Sequence, residues 1–147
     1  MKTIFVLNGP SLNLLGERDP EVYGSSTLAD VESLCRETAA GQQLETVFRQ
    51  TDEEGELIGW LNEAGIKADG VVINPAAFTH YSVAVRDAIA ALECPVIEVH
   101  LSNIYAREEF RAHSVVSGVV KGVIAGLGIT GYALAIEALA EVIGRDT

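Results

Sequence analysis

The sequence predicts a doubly wound α/β fold in three layers, and three observations predict it. Five short apolar runs, each rich in valine and isoleucine as buried parallel strands are, recur along the 147 residues. The segments between them carry helical spacing. The runs begin near residues 3, 44, 70, 95 and 119, so the last three spacings are 26, 25 and 24 residues, one strand plus one helix each. Strands that alternate with helices in this way make a parallel sheet covered on both faces.

The elements follow in order. Thr3–Leu7 is the first strand, ended by Asn8-Gly9-Pro10. Residues 27–38 place Leu28, Val31, Leu34 and Cys35 on one helical face. Leu44–Arg49 is the second strand. Thr51-x-x-Glu54 reads as a capping box opening a helix that carries Leu57, Ile58, Leu61 and Ala64. Gly70–Asn74 is the third strand, stopped by Pro75. Ser82 can cap a helix bearing Val83, Ile89 and Leu92. Pro95–Leu101 and Val119–Ala125 are the fourth and fifth strands, and Tyr132–Ile143 is a last amphipathic helix. Five parallel strands suit the flavodoxin-like order. The first spacing, 41 residues, exceeds the others by some 15, and the excess falls at about residues 9–26. A loop of that length in a small domain is usually functional, and it reads as a lid. Residues 1–147 are expected to form one catalytic domain.

Composition narrows the function. Apolar residues make up 48% and charged residues 21%, which is globular. A net charge of −11 argues against nucleic acid or an anionic membrane as partner, since both need a basic face. The most apolar uncharged stretch, residues 122–136, is shorter than the ~20 residues a membrane span needs. The run after Lys2 is too short for a signal peptide. Two cysteines, Cys35 and Cys94, suggest no disulfide framework, so a cytoplasmic location is expected.

In an open α/β sheet, ligands bind beyond the carboxyl ends of the strands. Polar residues collect there after three strands: Asn8, Asn13, Arg18 and Tyr23 after the first, Asn74 and His80 after the third, and Glu98, His100, Ser102 and Asn103 at the fourth. Glu98 and His100 alternate onto one face, where a carboxylate can accept an imidazole N–H and favour the charged ring of a general acid. A structural Glu–His pair at a sheet edge fits the same pattern. Arg18 and Tyr23 lie five apart in the lid, and a guanidinium beside a phenol favours the phenolate. A surface arginine and a packing tyrosine fit that spacing too. Asn74 and His80 could hold a polar ligand or belong to an ordinary strand-to-helix turn. Ser102-Asn103 could offer backbone N–H groups to a carboxylate, or simply cap a turn.

Other patterns are weaker. Gly126 to Gly131 matches GxGxxG, but only one helix follows, so close helix–strand packing explains the glycines better than a dinucleotide. Glu98, His80 and His100 could in principle bind a metal, without any spacing that specifies one, and none is expected. Lys2 and Lys121 lie in or before strands and Lys67 in a turn, so none reads as a buried Schiff-base lysine.

With these residues the sequence resembles the type II 3-dehydroquinate dehydratases. The resemblance is carried by residues 8–16, by Arg18, Pro20 and Tyr23-Gly24, and by Asn74-Pro75-Ala76-Ala77 with Thr79-His80. Arg86-Asp87, residues 95–103, Arg107, Phe110-Arg111 and residues 121–124 and 128–132 extend it over essentially the whole chain. One departure is Ser11, where the family usually has asparagine. The resemblance implies a flavodoxin-like fold and a step of the shikimate pathway, towards chorismate and the aromatic amino acids. That step is anti elimination of water from 3-dehydroquinate through an enolate, without cofactor, metal or Schiff base. It implies Tyr23 as the base at C2, Arg18 holding it as phenolate, and His100 as the acid oriented by Glu98. Asn13 would hold the water that stabilises the enolate. Asn74, His80, Arg111 and the Leu101–Ser102 backbone would bind the substrate, with Asp87 at the edge of a neighbouring subunit's site. It further implies a homo-oligomer, trimers gathered into a dodecamer. The rival class is a flavodoxin-like FMN electron carrier, which would need a phosphate loop after the first strand and aromatics to stack the flavin; the one tryptophan, Trp60, is on a helix.

Overall fold

Strand β1 (Lys2–Asn8) lies inside the sheet and is buried from Ile4 to Asn8. The computed structural model describes residues 1–145 and, around β1, builds one five-stranded sheet in the order β2-β1-β3-β4-β5. The other strands are β2 (Leu44–Gln50), β3 (Gly70–Asn74), β4 (Val96–His100) and β5 (Gly122–Ala125). All neighbours are parallel, and Asn8 and Asn74 stand side by side where β1 and β3 end. The chain leaves β1 for one side of the sheet and returns to the other, so the crevice opens between those ends.

Alternation along the strands sorts side chains into two apolar layers. Ile4, Val6, Val72, Ile97 and Val99 pack under α2 (Leu28–Gly41) and α5 (Thr130–Arg145), against Val31, Cys35, Tyr132, Ile136 and Leu139. Phe5, Leu7, Val71, Ile73 and Val96 pack under α3 (Glu54–Lys67) and α4 (Val83–Ala90), against Leu57, Leu61, Val85 and Ile89. Each such aliphatic side chain, taken fully out of water, contributes roughly 1.5–3 kcal/mol. Among the described residues no helix is long and apolar enough to cross a membrane.

Several local expectations shift. The capping box sits on α2, where Thr27 and Asp30 satisfy each other's backbone, and not at Thr51. Thr51 Oγ1 instead accepts the Glu53 N–H, so α3 begins only at Glu54 and keeps Lys67 as its last residue rather than in a turn. On α2 the buried stripe is Val31, Cys35 and Ala39, and Leu34 is only half-buried. Ser82 does cap α4 by accepting the Val85 N–H, but Val83 is exposed and Leu92 lies beyond the helix. Residues 117–119 form a 3₁₀ turn, so β5 starts at Gly122 rather than Val119.

The glycines after β5 serve packing. A Cβ on Gly131 would lie 3.3 Å from Ile124 Cγ2 and 3.4 Å from Val99 Cγ1, which seats the start of α5 on the sheet. Gly126 turns the chain at φ 90° against Asn103.

Candidate active site

The ends of β3 and β4, with Asn74 and His100, form the floor of a cavity of about 180 Å³, and the loop after β1 forms its roof. Gly9 makes the first turn of that loop possible, since a Cβ there would sit 2.5 Å from the Pro75 carbonyl oxygen. Ser11 donates its N–H to Asp52 Oδ1 at 2.9 Å, and Gln50 Nε2 donates to both Gly9 O and Asp52 Oδ1 at 3.1 Å. These bonds tie the loop's base to the end of β2. Leu12 and Leu15, each 6% exposed, plug it into the core. It ends in α1 (Pro20–Tyr23), which begins with proline as first turns often do.

Tyr23 closes α1 and packs against the α2–α5 layer with its ring facing the cavity wall. The Arg107 guanidinium lies 5.1 Å from the ring centroid and that of Arg18 6.0 Å. Arg107 also donates to Ser102 Oγ at 3.3 Å, which fixes it from the β4 side. Arg111 pairs with Glu108, whose carboxyl that bond holds below the usual range. Three guanidiniums thus line one cavity on a strongly acidic chain, a local seat for an anionic ligand.

The floor is oriented by a chain of buried hydrogen bonds. Tyr132 Oη donates to Asn8 Oδ1 at 2.7 Å and accepts from Asn74 Nδ2 at 2.9 Å. Asn8 Nδ2 donates to the Arg49 carbonyl, and Asn74 Oδ1 accepts the N–H of Ala76, whose φ is 52°. Burial holds the Tyr132 phenol neutral far above its ordinary range, although the bond from Asn74 opposes this.

On β4, Glu98 is fully buried and His100 is 5% exposed. His100 Nε2 is hydrogen-bonded to Glu98 Oε2, so the ring presents Nδ1 as its remaining hydrogen-bonding atom, on a residue that lines the cavity. His80 Nδ1 donates to the His113 carbonyl at 2.8 Å; because a carbonyl only accepts, Nε2 is left as the other functional nitrogen. Burial lowers the His80 pKa, and the His100 and Arg111 charges act in the same direction, while the His113 carbonyl and Glu98 oppose them.

The structure therefore gathers Arg18, Tyr23, Asn74, His80, His100, Leu101, Ser102 and Arg111 around one cavity, with Glu98 behind His100. Asn13 lies apart, exposed on the 3₁₀ turn 12–14, and Asp87 lies exposed on α4, 3.2 Å from Arg86. Asn103 acts as a cap, accepting the Tyr105 N–H. Reading the sequence gave no role to Arg107, Tyr132 or Ser117; the two arginines four apart after β4 were the available signal for the first. Among the described residues no three metal-ligating side chains come together, so Glu98, His80 and His100 form no metal cluster.

The profile of the class II dehydroquinases matches residues 2–140. The chain belongs to the class II dehydroquinase family. A 3-dehydroquinate dehydratase of Salinispora tropica is 61% identical over 137 residues, which are 93% of this chain and 96% of that relative. One of Brucella canis is 55% identical over 141 residues, 96% of this chain and 90% of that one. The crystal structure of a type II dehydroquinase from Propionibacterium acnes superposes with a TM-score of 0.93 at 50% identity, covering 96% of this chain and 97% of the other. A 3-dehydroquinate dehydratase-like protein of Bifidobacterium longum superposes with a TM-score of 0.75 at 34% identity, covering 98% and 99%. In this chain Trp60 lies under Arg49, whose guanidinium is 5.6 Å from its ring, and does not line the cavity. Nothing there favours the flavin carrier.

Proposed function

We propose that this protein dehydrates 3-dehydroquinate to 3-dehydroshikimate in the shikimate pathway. The observation that carries the reading is one cavity, in a member of this family, lined both by a tyrosine with two guanidiniums 5.1 and 6.0 Å from its ring centroid and by a carboxylate-held imidazole. Tyr23 as phenolate takes the C2 proton, with Arg18 and Arg107 offsetting the charge. The electrons pass into an enolate, and Asn13, which lies outside the cavity as the loop stands, would help to hold the water that stabilises it once the loop after β1 folds inward. His100 gives a proton to the leaving hydroxyl, which departs as water as the double bond forms; Glu98 then faces the neutral ring. Asn74, His80, Arg111 and the Leu101–Ser102 backbone bind the substrate's hydroxyls and carboxylate. The route takes no cofactor, metal or Schiff base, and among the described residues no lysine lines the cavity. The same reading has trimers gathered into a cytoplasmic dodecamer, with Asp87 reaching a neighbour's site.

The test is ultraviolet absorbance of the protein mixed with 3-dehydroquinate, because only the product is a conjugated enone. A rise that survives chelator and borohydride is the expected result, and no rise rejects the reading. Tyr23→Phe and His100→Ala are each expected to lower kcat by about 10²–10⁴-fold with the fold intact, the scale of one general acid–base step. Near-normal turnover removes that residue from the mechanism. Arg18→Ala is expected to lose most activity, and an unchanged pH–rate profile would refute its effect on Tyr23.

A further inference from the structure

Glu98 is fully buried and, as a carboxylate, can only accept, so the donors on its two oxygens decide how it holds His100. Oε2 takes the bond from His100 Nε2–H. Oε1 lies 2.8 Å from Ser117 Oγ, which in turn lies 2.9 Å from Ser114 Oγ. The direction of that chain follows from counting lone pairs. Ser114 Oγ accepts the N–H groups of Val116 at 3.1 Å and Ser117 at 2.9 Å, which fills both of its lone pairs. Its own O–H then donates to Ser117 Oγ, and the single proton of Ser117 goes to Glu98. Both carboxylate oxygens are thus held by donors, one from β4 and one from the 3₁₀ turn 117–119.

We propose that Ser117, oriented by Ser114, is a positioning residue for the general acid: it fixes the Glu98 carboxylate on His100 Nε2 and lowers the pH at which the pair gives up its proton. Neither serine lines the cavity, so neither touches substrate. A hydrogen bond donated to a carboxylate favours its ionised form; without it Glu98 becomes more basic, and the Glu98–His100 pair keeps its proton to higher pH. His80 and Arg111 face the pair across the cavity, and Arg18, Tyr23 and Arg107 complete the lining. On the sheet its neighbours Ile73, Val123 and Ala125 are apolar, and on α4 Arg86 and Asp87 are exposed and pair with each other. Among the described residues Ser117 therefore supplies the one hydrogen bond to Glu98 Oε1, and a single substitution can delete it without removing a charge.

The kinetic arm rests on the dehydratase reading, and a second arm does not. In Ser117→Ala, kcat at neutral pH is expected to fall about tenfold with KM within about twofold, as a weaker acid protonates the leaving group more slowly. The alkaline limb of the kcat profile is expected to move up by about one pH unit. In ligand-free protein, the NMR titration midpoint of the His100 ring is expected to rise by the same amount. Ser117→Thr, which keeps the hydroxyl, restores both. Midpoints that stay put in Ser117→Ala overturn the proposal, even if kcat drops. If that variant does not fold, Ser114→Ala decides: it leaves Ser117 without its donor and is expected to give a smaller shift of the same sign, and no shift overturns the proposal. A wild-type protein that does not turn over 3-dehydroquinate rejects the function and leaves the NMR arm to judge Ser117.

Discussion

Replacing Tyr132 with phenylalanine isolates what the buried polar chain under the cavity contributes. The change keeps the ring and deletes one oxygen, which donates to Asn8 Oδ1 and accepts from Asn74 Nδ2. Tyr132 and Asn8 are wholly buried and Asn74 is 3% exposed, so Asn8 loses a donor and Asn74 an acceptor where water does not readily replace them. An orphaned buried polar group costs roughly 1–3 kcal/mol, and two of them about 2–6 kcal/mol. Each asparagine keeps a second bond, Asn8 to the Arg49 carbonyl and Asn74 from the Ala76 N–H, which holds it in place and favours the lower half, about 2–4 kcal/mol. Against a total of about 5–15 kcal/mol that is a large share. Urea unfolding at neutral pH measures it, with the slope m unchanged. Because Asn74 also lines the cavity, KM is expected to rise severalfold while kcat changes less. A loss below about 1 kcal/mol with the same m would show that the chain is not the strut described, since that is under the cost of one orphaned group.

Other substitutions test separate parts. Ser11 sits at φ 67° and its side chain caps nothing, so Ser11→Asn, which tolerates that region better, is expected to stabilise the protein by roughly 0.5–1 kcal/mol in the same urea assay. Arg107→Leu removes the guanidinium nearest the Tyr23 ring and is expected to lower kcat about tenfold or more with little change in stability. Burial pushes the Cys35 thiol up to about 12 and raises Tyr132 further, so both stay protonated in the fold while the unfolded chain ionises them from about pH 8.5 and 10. Their contribution is whole below those values and is lost as pH rises towards the folded pKa; Cys35→Ala is expected to flatten the stability curve above pH ~9. His80 has the opposite sign: its lowered pKa favours the fold above about pH 6.5, and stability is lost as pH falls below that, a slope His80→Gln is expected to remove.

The strands were legible because buried parallel strands are written as unbroken apolar runs, and the long loop after β1 because one β–α spacing is too long. Boundaries were less so. Thr51 and Glu54 satisfy the capping-box spacing, yet α3 starts after Glu53 because Thr51 spends its oxygen on the Glu53 N–H. The same spacing at Thr27 and Asp30 closes properly. A motif states which bonds can form, and the backbone path decides which do.

At the site, most of the residues read easily from sequence sit at strand ends or on the loop after β1, where topology brings them together around the cavity. Those missed act through partners distant in sequence. Tyr132 looks like one apolar position of an amphipathic helix, and its oxygen gains meaning only where α5 crosses beneath two asparagines 124 and 58 residues away. Ser117 looks like any small polar residue in a turn until Glu98, 19 residues earlier, is seen to lack any other donor on Oε1 among the described residues. Glu98-x-His100 places a carboxylate and an imidazole on one strand face, but a buried carboxylate needs its second oxygen satisfied as well. The sequence pattern therefore implied a missing donor without naming it, and the fold supplies one from the 3₁₀ turn that leads into β5.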